Sequence, residues 1–247
     1  MTRISTLLFI VFLYSCTSLD NGLIAFYPLD GNSKNKTKNK LDGLIVGNVK
    51  TEKNRHGESG KCLEFSGRNS YLRITNNELL VLGQDSFKKM SISLWFNSYG
   101  DAGQYVNWII AKGMNQSSAK TDYGLAIHND AKHLGEKKLQ WSIGPSSDTC
   151  AFTQLEPLED NKWYFIVLTI APITKNSGVK SIYVNGELYH QCNYYTKTDY
   201  KEMDLLIGAG NRPEPGNAER FFKGRIDDIK IYDRIISKSE ILNHYKK

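Results

Sequence analysis

The sequence predicts an all-β fold, a two-sheet antiparallel sandwich with one short carboxy-terminal helix. Thirteen short β-type runs follow one another from residue 23 onward, polar turns separate them, and the one clear helical signature occurs after residue 236. The 247 residues are 40% apolar and 23% charged, enough to bury one sizeable core and unlike a disordered or collagen-like composition. Polar loops fall at 31–43, 114–122, 129–138, 145–162 and 209–220, none long or uniform enough for an interdomain linker, and no internal repeat is visible. One domain over 22–247 is expected.

Ahead of that domain, residues 1–15 read as an export signal. Arg3 precedes the apolar stretch 7–14, which is too short to span a bilayer and about the size of a signal core. Its end, Leu13-Tyr14-Ser15-Cys16, resembles a bacterial lipoprotein signal, in which the cysteine becomes the lipidated first residue. The resemblance implies an acylated Cys16, a short tether over 16–21 and an extracytoplasmic protein, periplasmic or on the cell surface, held to the membrane by its lipid. Two or more chains anchor stably, since each buried methylene contributes about 0.8 kcal/mol. Ordinary secretion with an incidental Cys16 is the alternative.

The strands are expected at 23–27, 44–49, 62–65, 71–74, 91–97, 108–112, 123–128, 139–143, 163–171, 179–184, 187–191, 205–207 and 225–232. In 91–97, Ile92, Leu94 and Phe96 share one face while Ser91, Ser93 and Trp95 share the other, the pattern of a sheet with one buried and one partly wet side. Asn185-Gly186 suits the left-handed angles of a type I′ hairpin, which sets Val184 opposite Glu187 and Tyr183 opposite Leu188. Ser237-Lys238-Ser239-Glu240 has the form of a capping box opening a helix through Tyr245, with Ile241 and Leu242 available to pack it down.

The cysteines are Cys16, Cys62, Cys150 and Cys192, and lipidation of the first leaves an odd number. Cys62 either shares a strand face with Glu64 or is a small apolar filler. Cys150 and Cys192 lie in polar, turn-rich stretches and form the expected disulfide of an oxidising compartment. No C-x-x-C occurs, so zinc-ribbon and dithiol-redox readings have no support.

Several segments together resemble the laminin G-like branch of the concanavalin A-like jelly rolls. They are Leu23-Ile24-Ala25-Phe26-Tyr27-Pro28-Leu29-Asp30-Gly31-Asn32-Ser33, Leu41-Asp42-Gly43, Gly60-Lys61-Cys62-Leu63-Glu64-Phe65-Ser66-Gly67 and Ser70-Tyr71-Leu72-Arg73-Ile74. The middle agrees through 91–96, 109–113 and 123–127, and the later half through 162–169, 181–188 and 205–208. The closing Phe222-Lys223-Gly224-Arg225-Ile226-Asp227-Asp228-Ile229-Lys230-Ile231-Tyr232-Asp233-Arg234 is the most specific piece. The resemblance, over about 22–245, implies a jelly-roll sandwich that binds sugars or proteins; a fold alone does not fix which. It also implies a structural Ca²⁺ held by hard oxygen donors, with Asp30, Asn32, Asp227 and Asp228 the ligand set if the last strand returns beside the first. Asp30-Gly31-Asn32 would otherwise be a turn supported by its own side chains.

Catalytic signatures are missing. Glycan hydrolysis needs two carboxylates across the scissile bond, and the Glu-x-Asp-x-x-Glu run of similar retaining glucanases does not occur. Asp227 and Asp228 are adjacent, so strict alternation sends them to opposite faces. Glu156, Glu159 and Asp160 fall in a stretch around Pro157 that reads as a solvated loop. The five histidines show no metal-type spacing, and no G-x-S-x-G or phosphate loop is present.

Charge and aromatics bear on binding. Lys and Arg total 32 against 26 Asp and Glu, and Lys34, Lys36, Lys38, Lys40, Lys50, Lys53, Arg55 and Lys61 face only Asp42, Glu52 and Glu58 across 34–61. That stretch attracts acidic glycans or headgroups, or is simply kept wet by lysines. Nucleic acid is disfavoured, since no reader motif accompanies the charge. Among the rings, Tyr99, Tyr105, Tyr194, Tyr195 and Tyr200 lie in polar loops and are the candidate ligand platforms. The expected function is non-catalytic glycan recognition. A structural or adhesive surface protein that binds another protein is the alternative, and a glycoside hydrolase lacks its paired-carboxylate motif.

Overall fold

The computed structural model describes residues 20–82, 88–100, 102–113, 122–129, 137–144, 158–174, 176–195, 203–212 and 217–247. Cys16, Cys150 and Tyr200 lie outside them, as does the export signal. Sixteen strands and one α-helix are present among the described residues: β1 (Leu23–Tyr27), β2 (Gly43–Val46), β3 (Lys50–Glu52), β4 (Cys62–Ser66), β5 (Tyr71–Ile74), β6 (Met90–Ser98), β7 (Val106–Lys112), β8 (Tyr123–His128), β9 (Lys138–Ile143), β10 (Trp163–Thr174), β11 (Ser177–Val184), β12 (Glu187–Tyr195), β13 (Leu205–Ile207), β14 (Gly210–Asn211), β15 (Ala218–Glu219), β16 (Lys223–Tyr232) and α1 (Lys238–Tyr245). They form the expected two-sheet antiparallel jelly-roll sandwich.

The larger sheet runs β12-β11-β10-β6-β16-β4-β3, with β1 also on β16; the smaller runs β2-β5-β13-β7-β8-β9. Between them lies one core, to which β6 gives Ile92, Leu94 and Phe96 and the facing strands give Leu72, Ile110, Leu125, Leu139 and Ile207. The outer side of β6 is not wet as alternation alone suggests. Trp95 is buried there with Phe165, Val167 and Tyr232 beneath Ile236 and Ile241, because α1 lies across the larger sheet. The helix begins where the sequence places it: Ser237 Oγ accepts from the Glu240 amide at 3.3 Å, and the Ser237 amide donates back to Glu240 Oε2 at 2.8 Å.

Two backbone features position the site, a break after β2 and a bulge in β16. The stretch expected as one strand at 44–49 is broken at Gly47, whose φ is +73° and whose Cβ position falls 2.0 Å from the Asn69 carbonyl oxygen. The break carries the chain from β2 in the smaller sheet to β3 in the larger one. The Asn185-Gly186 turn has φ of +51° and +89°, and the register Val184–Glu187 and Tyr183–Leu188 is the one its type demands.

The second feature is a bulge in β16. This strand pairs with β4 through Lys223–Ile226 and with β1 through Ile229–Tyr232, on the same side. Between the two partners, pairing to β6 slips between Asp227 and Lys230, and Asp228 takes a left-handed φ of +47°.

Candidate functional site

That bulge overturns the expectation that Asp227 and Asp228 point to opposite faces. The turn at Asp228 brings both carboxylates onto one guanidinium: Arg55 Nη1 is 3.0 Å from Asp227 Oδ2 and 3.0 Å from Asp228 Oδ2. Arg55 reaches them from the loop between β3 and β4, and its guanidinium carbon lies 4.7 Å from the centre of the Trp95 ring. Burial, reinforced by the neighbouring Asp228 charge, raises Asp227 to about 7, against the pull of Arg55.

The fold does return the last strand beside the first, and Asp30, Asp227 and Asp228 line one depression of about 450 Å³. The donor set nevertheless does not fit Ca²⁺. Arg55 occupies the position between the two β16 carboxylates, and Asp30 Oδ2 pairs with Lys61 Nζ at 3.1 Å. Asn32 is spent in its own turn, donating to the Asp30 carbonyl at 2.8 Å and accepting from the Lys34 amide at 3.0 Å. Among the described residues no cluster of three or more acidic, His or Cys side chains is set to hold a metal. A calcium ion needs six or more oxygens, and here protein cations supply the positive charge.

The same pairing settles much of the basic stretch. Lys34 meets Asp42 at 2.8 Å, which together with the Asn35 amide holds the Asp42 carboxyl below its usual range. With Arg55 and Lys61 also paired, the excess at 34–61 is partly neutralised within the fold.

The tyrosine candidates separate. Tyr194 is not in a loop: β12 continues through Tyr195, and alternation turns Tyr194 inward, where it is 6% exposed and burial pushes its hydroxyl up to about 12. Tyr195, the next residue, is 79% exposed at the end of that edge strand. Tyr99 is half-buried; its hydroxyl donates to Glu64 Oε2 at 2.9 Å, and burial with that bond raises its pKa. Arg225 lies between it and Trp163, with its guanidinium carbon 5.3 Å from each ring centre. Beneath them Asn97 is fully buried, with neither end of its amide hydrogen-bonded to a described residue.

Tyr105 has the arrangement most suited to a flat ligand. It is 49% exposed, and its ring meets the His128 ring edge-on with centroids 4.4 Å apart. The Asn129 amide donates to Asn107 Oδ1 and, at 3.2 Å, to the Gln104 carbonyl, while Asn107 Nδ2 donates to the Phe221 carbonyl at 3.0 Å. The Asn129 backbone is held to the Tyr105 carbonyl at 2.9 Å. An exposed ring thus stands beside a braced pair of asparagines on the rim of the smaller sheet. Tyr105 was legible in the sequence; its neighbours His128 and Asn129 are distant in the chain and were not.

Of the cysteines, Cys62 is a free, buried thiol raised to about 12 chiefly by burial, which is the apolar-filler alternative. Cys192 lies on β12 and is not among the free thiols, and its expected partner lies outside the described residues.

No curated protein matches the chain. Among solved structures, domain 4 of AbnA, an extracellular arabinanase from Geobacillus stearothermophilus in complex with arabinotriose, has a TM-score of 0.60 at 16% identity, covering 90% of this chain and 97% of that one. The binding domain of Paraclostridial Mosquitocidal Protein 1 has a TM-score of 0.66 at 15% identity over 92% of this chain and 52% of that one. The binding domain of botulinum neurotoxin DC, in complex with rat synaptotagmin II, has a TM-score of 0.62 at 15% identity, over 93% and 52%. The chain therefore spans about half the length of the two toxin domains, and at these identities the likeness establishes the fold alone. A laminin G family profile described as the concanavalin A-like lectin/glucanases superfamily matches residues 66–242, from the end of β4 through the closing β16 motif and more than half of the chain, and the chain belongs to this family.

Proposed function

We propose that this domain recognises a glycan without transforming it, with the Tyr105 ring as the platform on which a sugar face stacks. The observation that carries the reading is the exposed Tyr105 ring set against His128 and beside the Asn107–Asn129 amides. A ring face takes the apolar face of a sugar, and the buried Asn107 with Asn129, their amide hydrogens given to each other and to main-chain carbonyls, fixes the loop that presents the ring. The fold neighbour from the arabinanase, solved with arabinotriose, supports a saccharide in this architecture. The non-catalytic part rests on the acid pair: Asp227 is 3% exposed and shares one guanidinium with Asp228, so a glycosidic oxygen does not reach it. Extracytoplasmic anchoring through a lipidated Cys16 and a Cys150–Cys192 bridge belong to the same proposal.

The full chain is to be screened on an array of neutral and acidic glycans, beside Tyr105→Ala. Binding of one glycan class that weakens by roughly tenfold in the variant, at unchanged melting temperature, is expected, since an aromatic contact contributes about 0.5–1.5 kcal/mol beyond area burial. Release of a shorter saccharide, or equal binding by the variant, would overturn it. A protein partner is the second reading, favoured by the edge strand β12, which exposes Leu188 and Tyr195. The neurotoxin neighbour in complex with synaptotagmin supports that class of partner.

A further inference from the structure

We propose that the groove between the β2–β3 and β4–β5 turns binds an anionic saccharide, one bearing carboxylate or sulfate groups. This rests on the glycan reading and names the class of ligand. The groove encloses about 670 Å³, with walls formed by Asn48, Ser66, Arg68, Asn69 and Lys223.

Its shape is set by the backbone. Gly47 permits the first turn to sit against the second, where a side chain would strike the Asn69 carbonyl. Gly67, with φ of +75°, lies on the groove surface; a Cβ there would fall 2.8 Å from that of Lys223 and 3.0 Å from that of Ala102. Ser70 Oγ accepts from the Ser66 amide at 2.6 Å and lies 2.8 Å from Ser66 Oγ, which braces the second turn. Little ordering is left for a ligand to impose.

Its charge is uncommitted. Lys34, Arg55, Lys61 and Arg234 are each paired with an acid of the fold. The side chains of Arg68 and Lys223 make no ion pair or hydrogen bond with a described residue, and neither do the amides of Asn48 and Asn69. Among the described residues that line the groove there is no carboxylate. A guanidinium and an ammonium facing one groove bind carboxylate or sulfate oxygens by charge-assisted hydrogen bonds, and the two amides supply neutral donors and acceptors for hydroxyls. A neutral sugar would use only the amides. Ala102, on the groove, and Tyr105 are carried by the same β6–β7 connection.

The test compares the full chain with the Arg68→Ala/Lys223→Ala double variant and with Lys34→Ala, a basic residue already paired. Heparin-derived and oligogalacturonate probes are titrated beside neutral arabino-oligosaccharides, at salt from about 50 to 300 mM so that screening is read directly. An acidic probe should bind most tightly and weaken with salt, and the double variant should lose it by at least about fivefold while Lys34→Ala does not. Arabino-oligosaccharides binding as well as the acidic probes, with Tyr105 required and the double variant intact, overturns the groove and leaves the glycan reading standing. No saccharide bound at any salt overturns both.

Discussion

Replacing Arg55 by alanine removes the cation that holds the β16 bulge. Its side chain is 11% exposed, those of Asp227 and Asp228 are 3% and 29%, and all three meet where β4 ends and β1 begins along β16. Removing one partner of a buried pair costs about 3–5 kcal/mol, and the partial exposure of Asp228 sets the expectation at the lower end, about 3 kcal/mol at pH 8. For a domain of this size that lowers the melting temperature by about 6–12 °C. The loss should shrink at pH 5, because Asp227 already titrates near 7 and then carries a proton that removes the uncompensated charge. Melting followed by tryptophan fluorescence reads it directly, since Trp95 lies under the same guanidinium. Wild type should melt identically in chelator and in millimolar calcium, whereas Arg55→Ala should recover part of its loss with calcium at pH 8. A variant that melts within about 1 °C of wild type, or a wild type stabilised by calcium, would refute the reasoning that a protein cation has taken the metal's place.

Three further outcomes are expected. Asp227, raised to about 7, contributes stability that is full below about 4 and is lost as pH rises through 7, whereas His244, lowered to about 4 by burial and by Lys230, contributes stability that is present above about 6.5 and is lost as pH falls through 4. The two slopes oppose each other between those limits, so on going from pH 6.5 to 4 Asp227→Asn should fall about 3 kcal/mol behind wild type in urea titrations; matching profiles would sink this. Ser237→Ala removes the acceptor at the start of α1 and should cost about 1 kcal/mol, seen as a lower midpoint in denaturant with saccharide binding unchanged. For the Cys150–Cys192 bridge, intact mass should rise by two hydrogen atoms on reduction, and a Cys192 that alkylates fully without reductant would exclude it.

What the sequence made legible was local. A type I′ turn at Asn185-Gly186 and a capping box at Ser237 each carry their geometry in four residues, and both stand as expected. Register within β6 followed from alternation, because nothing but the core decides its inner face. The failures are places where a distant segment decides. Trp95 is dry because a helix 140 or so residues later covers it, and Tyr194 is buried because β12 runs four residues beyond the reading that ended it at Gln191. The acid pair was misread for the same reason. Alternation holds only while pairing is regular, and β16 changes partners from β4 to β1 at those two residues. Arg55, 172 residues from Asp227, gives no sign in its own neighbourhood that it belongs there.

The distribution of commitments among like residues is what separates scaffold from site. Asp227 and Arg55 look more catalytic than anything on the groove: one is a buried acid raised to about 7, the other an arginine stacked on an indole. Each is paired with the other and shielded from a substrate, so their chemistry is consumed in closing the gap that β16 leaves between two partners. Arg68, Lys223 and Tyr105 have ordinary environments and are exposed or half-exposed, yet the two cations have no partner among the described residues and the ring keeps half its surface open. A binding module needs uncommitted groups on a backbone that does not move, and here the turns that present those cations are fixed by glycine contacts and a serine pair instead of by the charges themselves. Changing the groove cations should therefore alter recognition and leave stability alone, while changing Arg55 should do the reverse, a double dissociation that a purely structural role for both sets would not produce.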